Sequence, residues 1–307
     1  MRRFSDYGLL FIKGMGMGAA DVVPGVSGGT IAFITGIYEE LIRSIKSVDL
    51  DALKLLLRFK FGSFWKKING NFLLAVFGGV LVSVFSLARL LKWLMANHPI
   101  LIWAFFFGLI LASAIVVTRK IKSWNVARVS GLIAGAVLMF FITRFAPAQT
   151  TDAYWYVFIA GAIAICAMVL PGISGAFILL LLGKYQFILG AVSDFNVVVL
   201  VVFGLGIITG LLSFANLLAW LFRNYHDLTI SVLAGFIIGS LNKIWPWKQT
   251  VTSTVSSHGE VIPVVQRNIL PGVYRDITGM EPLLAPAIIL MIAAFIIVII
   301  LDNVNRR

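Results

Sequence analysis

Two hexapeptides in this 307-residue chain carry the residue types from which an anion cradle is built. Pro24-Gly25-Val26-Ser27-Gly28-Gly29 returns 147 positions later as Pro171-Gly172-Ile173-Ser174-Gly175-Ala176, and each copy interrupts an otherwise apolar run. Proline removes a backbone donor and glycine weakens a helix interior, so each hexapeptide marks a break between helices. The serine stands after the break and before an apolar run, where a helix N-cap belongs. A helix starting there turns its first amides and the positive end of its dipole toward the break, and glycines let an anion approach the backbone. Thr30 adds a hydroxyl after the first motif, where the second copy has Phe177. The candidate phosphate- or anion-binding residues are therefore Pro24, Gly25, Val26, Ser27, Gly28, Gly29 and Thr30, with Pro171, Gly172, Ile173, Ser174 and Gly175. The competing reading makes the breaks mere kinks and small residues such as Gly14, Gly16 and Gly18 points of close helix packing.

Charges inside the apolar runs form a second group. Asp21 lies three residues before the first break, and its counterpart is Met168, so the repeat does not demand an acid. Such a carboxylate has three uses: it binds a coupling cation or proton, pairs with Lys13, or caps backbone amides. Arg89, one turn before Lys92, either guides an external phosphate inward or snorkels to lipid headgroups. Glu39 and Glu40, at the cytoplasmic end of the first hairpin, read as solvated or as paired with Arg43, with Glu39 kept beside Asp21, Lys13 and Arg89 as a coupling or charge-pairing candidate. Tyr38 and Tyr185 read as interfacial anchors.

The elements that must position these residues are membrane helices. Hydrophobic residues make up 60% of the chain and charged ones 12%, and the mean hydropathy is +0.99, which identifies a polytopic all-α membrane protein. Apolar runs at about 70–94, 100–118, 128–145, 196–221, 228–246 and 283–301 are near the length of a spanning helix. The motif-bearing runs, about 8–45 and 154–193, are each a pair of helices folded back at Pro-Gly, either re-entrant or spanning. The repetition extends further: at an offset of 127, Trp93, Asn97 and Gly108 match Trp220, Asn224 and Gly235. The chain thus reads as two repeats, 1–148 and 149–307, each a broken hairpin plus three spans. The first carries an extra segment, 47–67, that reads as a basic amphipathic surface helix; the second carries a polar stretch, 247–282, a lid or a plain loop.

The net charge of +12 is gathered in the loops 43–70 and 119–128, which places them and both termini, with Arg2, Arg3, Arg306 and Arg307, in the cytoplasm. A hairpin plus three spans crosses an odd number of times, so the two repeats are expected to be inverted, with their tips meeting near the midplane. Inverted repeats whose broken-helix N-termini face an anionic group are a recurring transporter design.

The run from Gly14 to Thr30, with Leu170-Pro171-Gly172-Ile173-Ser174-Gly175, resembles the prokaryotic polyprenyl-phosphate transporter family, and the resemblance covers nearly the whole chain. It implies a flippase of the cytoplasmic membrane that moves undecaprenyl phosphate, the lipid carrier of cell-wall synthesis, from the outer to the inner leaflet for reuse. Phosphate ligation by Thr30 then has no symmetric partner, because the second motif continues Gly175-Ala176-Phe177.

Other classes fit less well. His98, His226 and His258 fall in predicted loops without the grouping a lipid phosphatase needs, so no catalytic residue is assigned. The single Cys166 allows neither an internal disulfide nor a cysteine metal site and reads as a packing residue. No cofactor or metal is expected beyond a coupling H+ or Na+, and no nucleic-acid motif accompanies the positive charge. A carrier or channel for small anions is left open by the residues.

Overall fold

The computed structural model describes residues 2–23, 26–145, 150–255 and 261–305. Helices dominate these residues. The first half runs through α1 (Phe4–Val22), α2 (Gly28–Ile34), α3 (Tyr38–Lys46), α4 (Leu50–Leu57), α5 (Phe61–Lys67), α6 (Gly70–Asn97), α7 (Pro99–Thr118) and α8 (Val126–Ile142). The second runs through α9 (Tyr154–Val169), α10 (Gly175–Leu181), α11 (Tyr185–Ser193), α12 (Val197–Asn224), α13 (His226–Ser240), β1 (Lys248–Val255), β2 (Val261–Asn268), α14 (Pro271–Thr278) and α15 (Leu284–Asn305). Four helices, α6, α7, α12 and α15, are long and apolar enough to cross a membrane. Their outward faces carry large exposed side chains, Leu74, Phe85, Ile208 and Ile289 among them, which suits a lipid surrounding. Helices α8, α9 and α13 are apolar but shorter.

The two halves share an element order and element lengths. Helices α2 and α10 have 7 residues each, α3 and α11 have 9, and α6 and α12 have 28. The long helices even end alike, with Asn97 Nδ2 donating to Trp93 O at 2.8 Å and Asn224 Nδ2 to Trp220 O at 2.8 Å. Packing repeats the same logic. Helix α1 lies along α6 as α9 lies along α12, while α7 pairs with α15 and α8 with α13, so the middle and last spans of the halves are exchanged.

Glycines set how closely these helices approach. A Cβ on Gly14 would lie 2.1 Å from Val76 O, and one on Gly18 2.6 Å from Val80 O, so α1 and α6 touch backbone to backbone. The small-residue stripe of α1 is thus a packing device.

A seven-residue helix is about 10 Å long, a third of the roughly 30 Å hydrocarbon layer. Helices α2 and α10 are therefore each too short to cross that layer alone. Between α10 and α11 the axis turns by 108°, at Gly183 in the left-handed region.

Two expected segments differ. The insertion at 47–67 is two short helices, not one, because the chain turns at Arg58–Lys60 with Phe59 at φ 54°. The side chain of Asp49 caps α4 on Ala52 N at 2.8 Å and also receives Lys67 at 2.5 Å. The stretch 247–282 is no plain loop: β1 and β2 pair antiparallel with a bulge near Thr252, and α14 follows. Trp245 and Trp247 anchor its ends by donating to Ile269 O at 2.9 Å and Pro282 O at 2.8 Å.

Candidate functional site

The first tip is built by α2. Ser27 has extended backbone, and its Oγ accepts from Gly29 N at 3.1 Å, the N-cap bond its position predicted. Asp21, at the end of α1, accepts from Gly28 N at 2.7 Å through Oδ1. The opposite end of α2 is held by cations: Lys13 Nζ donates to Thr35 O at 2.8 Å and Lys120 Nζ to Phe33 O at 2.9 Å. A carboxylate at its start and two ammonium groups at its end complement the dipole of this short helix. Of the three uses open to Asp21, the structure takes amide capping, while Lys13 serves the far end of α2. The sequence pattern led us to expect open amides at Gly28 and Gly29; both are instead held by the chain's own oxygens.

The two tips are bonded to each other. Ser27 Oγ lies 3.2 Å from Leu170 O and 3.3 Å from Met168 O, within donating distance of both. Gly172 N donates to Thr30 Oγ1 at 2.9 Å. A Cβ on Gly29 would come within 2.6 Å of Val169 O, so only glycine lets α2 seat on the end of α9. Val26, Ser27 and Thr30 are wholly buried. The structure thus brings the two motifs, more than 140 residues apart in sequence, into one occluded contact.

The second tip differs in detail. Gly172 has φ 85°, and a Cβ there would press on Phe236 O at 2.9 Å, so this tip rests on α13. Pro171, Ile173, Ser174 and Gly175 are buried beside it. Ser174 stands at the N-cap of α10, but its side chain makes no capping bond, contrary to the symmetric expectation. Ile173 packs with Phe177, Ile178 and Met139 in an apolar cluster. Pro24 and Gly25 lie outside the described residues.

The remaining sequence candidates go elsewhere. Glu39 Oε1 meets His226 Nε2 at 3.1 Å, linking α3 to the start of α13, while Arg43 approaches its other oxygen at 3.9 Å. His226 also meets Asp227, and Arg128 closes that cluster at 3.4 Å. Arg89 is exposed on α6, away from the tips. No group of three His, Cys, Asp or Glu able to hold a metal occurs among the described residues. Lys120 was not singled out by sequence, because its loop position gave no sign that it would reach back to α2. Lys184 gave no sign either: it is buried, paired with Asp152 at 2.5 Å and flanked by the rings of Tyr156 and Phe187.

Two spaces flank these elements. An apolar groove of about 480 Å³ between α12 and α13, lined by Leu218, Leu221, Val232 and Phe236, opens onto Leu170 of the second tip. A smaller cavity of about 220 Å³ beyond the end of α2 holds Tyr38, Glu39, Glu40, Arg43 and Lys120.

Comparison with known proteins points to a transporter rather than an enzyme. No solved structure matches the chain. The polyprenyl-phosphate transporter of Vibrio cholerae serotype O1 is 47% identical over 302 residues, covering 98% of each chain. The polyprenyl-phosphate transporter of Staphylococcus aureus is 30% identical over 253 residues, covering 76% of this chain and 85% of its own. Residues 17–262, which include both tips, match the model of a family described as undecaprenyl phosphate translocase-like. The chain belongs to that family of membrane transporters.

Proposed function

We propose that this protein moves undecaprenyl phosphate, or a related polyprenyl phosphate, across the cytoplasmic membrane from the outer to the inner leaflet, returning the lipid carrier for reuse. The headgroup passes at the junction of the two tips. One observation carries that reading: the groups that would bind a phosphate are already engaged with oxygens there, Gly28 N with Asp21, Gly29 N with Ser27 and Gly172 N with Thr30. A phosphate takes over these bonds when the tips part, and amide and hydroxyl donors suit its oxygens. Asp21, once displaced, is a buried carboxylate without its donor and becomes the group that accepts a coupling proton or Na+. The isoprenoid tail follows the apolar groove that begins at Leu170, so only the headgroup needs a polar path.

An inverted arrangement of the halves, with a single central junction, is part of this reading. The end of α7, with Lys120, and the start of α13, with His226, meet α2 and α3 at the same end of the molecule, so these equivalent helices run in opposite directions. The positive loops support a cytoplasmic side for that end and for both termini.

The test is leaflet exchange of a short-chain polyprenyl phosphate in proteoliposomes. Exchange without release of inorganic phosphate is expected. Phosphate release would replace the transporter with a hydrolase, and uptake of soluble phosphate without lipid exchange would make it a small-anion carrier.

A further inference from the structure

A cavity of about 560 Å³ lies among the ends of α8 and α13, helix α10 and the β1–β2 hairpin. Its charged lining is Arg144, Lys243, Lys248 and Arg267, and its described lining contains no Asp or Glu. Lys184, by contrast, is paired with Asp152, and Arg2 with Glu40. In the cavity aromatic faces hold the cations instead: Lys248 Nζ sits 3.5 Å from the centre of the Trp103 ring, Lys243 Nζ 4.5 Å from Phe177 and the Arg144 guanidinium 4.5 Å from Phe140. Cation–π contact positions a charge without cancelling it. Lys248 Nζ is buried and has no hydrogen-bond partner among the described residues. Burial, and then the charge of Lys243, pulls Lys248 well below the ordinary ammonium range, and burial lowers Lys243 too. Clustered, desolvated cations repel one another, and a dianion among them removes that cost.

We propose that this cavity is the capture site for a phosphomonoester headgroup on the outer face, before it reaches the tips. The assignment rests on the transport reading above and adds where the headgroup first docks. A lipid headgroup suits the walls, because Phe145, Phe177, Leu180 and Leu181 offer an apolar side to the same space. Phe177 lies two residues past Gly175 and packs on Ile173, so it forms the partition between cavity and tip. The exchange of Thr30 for Phe177 between the copies thereby acquires a role: the second tip is closed by a ring that also cradles Lys243.

The full chain in lipid nanodiscs is titrated with farnesyl phosphate, inorganic phosphate and farnesol, followed by tryptophan fluorescence, since Trp103 lies under Lys248. Farnesyl phosphate is expected to bind best, and Lys243→Gln with Lys248→Gln to weaken it by about a hundredfold, roughly tenfold for each charge-assisted hydrogen bond removed. Lys248→Arg keeps the charge and should bind within about threefold of wild type. Should the buried substitutions disturb folding, Arg267→Gln, at an exposed position of β2, still removes one charge and should weaken binding about tenfold. Wild-type affinity in folded charge-removal variants, or equal binding of farnesol, would overturn the site. Equal binding of inorganic phosphate would overturn its assignment to a lipid headgroup. Leaflet exchange on the same preparations separates the two readings. Charge-dependent binding in a protein that exchanges no lipid keeps the capture site and removes transport; unaltered binding and exchange in the double variant does the reverse.

Discussion

At the start of α2 the chain supplies its own anion, Asp21, and its own cap, Ser27; at the start of α10 the same two places hold Met168 and a Ser174 whose hydroxyl caps nothing. The contrast continues outward. Beyond Phe33 the cavity mixes Glu39 and Glu40 with Arg43 and Lys120, whereas beyond Phe177 it gathers Arg144, Lys243, Lys248 and Arg267. The halves thus keep one backbone plan, down to equal lengths of α2 and α10, and diverge in charge. On the proposed reading, the duplicated pair of tips is where a phosphate would cross. On the same reading, the divergence in charge would give the path a direction, from an outer face that attracts an anion to an inner face balanced to let it go.

Substitutions at matched positions sharpen or break this contrast. The largest effect is expected from Gly29→Val, which puts a branched side chain against Val169 O, 2.6 Å from the ideal Cβ; forced separation of the tips should cost about 3 kcal/mol in thermal unfolding and abolish lipid exchange. Gly175→Ala presses only within its own hairpin, 2.8 Å from Ala164 O, and should cost about 1 kcal/mol. Equal losses would mean the tips do not bear on each other. Next, Asp21→Ala removes a charged acceptor from a buried amide and should cost about 2 kcal/mol, whereas Met168→Ala should cost under about 1 kcal/mol at a half-exposed site. Asp21→Asn keeps an acceptor and should restore most of the stability while erasing any dependence of exchange on a proton or Na+ gradient; an undiminished gradient dependence would free Asp21 of the coupling role. Smaller still, Ser27→Ala should cost about 1 kcal/mol as a lost cap, and Ser174→Ala no more than about 0.5 kcal/mol. Matching values for the two serines would show the capping difference to be without energetic weight. Least affected should be Lys13→Met, about 0.5 kcal/mol, because Lys120 still serves the end of α2.

Much of this arrangement was legible in the residues. The Pro-Gly breaks, the capping position of Ser27 and the apolar spans follow from local backbone chemistry and hydropathy, which act over a few residues. The occupied state of the first tip was not legible, because whether Asp21 reaches Gly28 N or stands free depends on how α1 folds back on α2. Ser174 shows the limit of pattern reasoning: the same sequence position yields a cap in one copy and none in the other. The basic cavity was hidden for a different reason. Arg144, Lys243, Lys248 and Arg267 are spread over more than a hundred residues and converge only when the β1–β2 hairpin folds against α13. Arg89, which the sequence leaves as either a phosphate guide or a snorkelling cation, is exposed on α6.

The claim that the headgroup crosses at the tip contact is tested most directly by comparing initial rates of leaflet exchange for a short-chain polyprenyl phosphate between wild type and the Ser27→Ala, Thr30→Val double variant, both shown to be folded. The account predicts rapid exchange by wild type and a loss of about a hundredfold in the variant, roughly tenfold for each hydroxyl withdrawn from the phosphate. Exchange at the wild-type rate by the folded variant would contradict it.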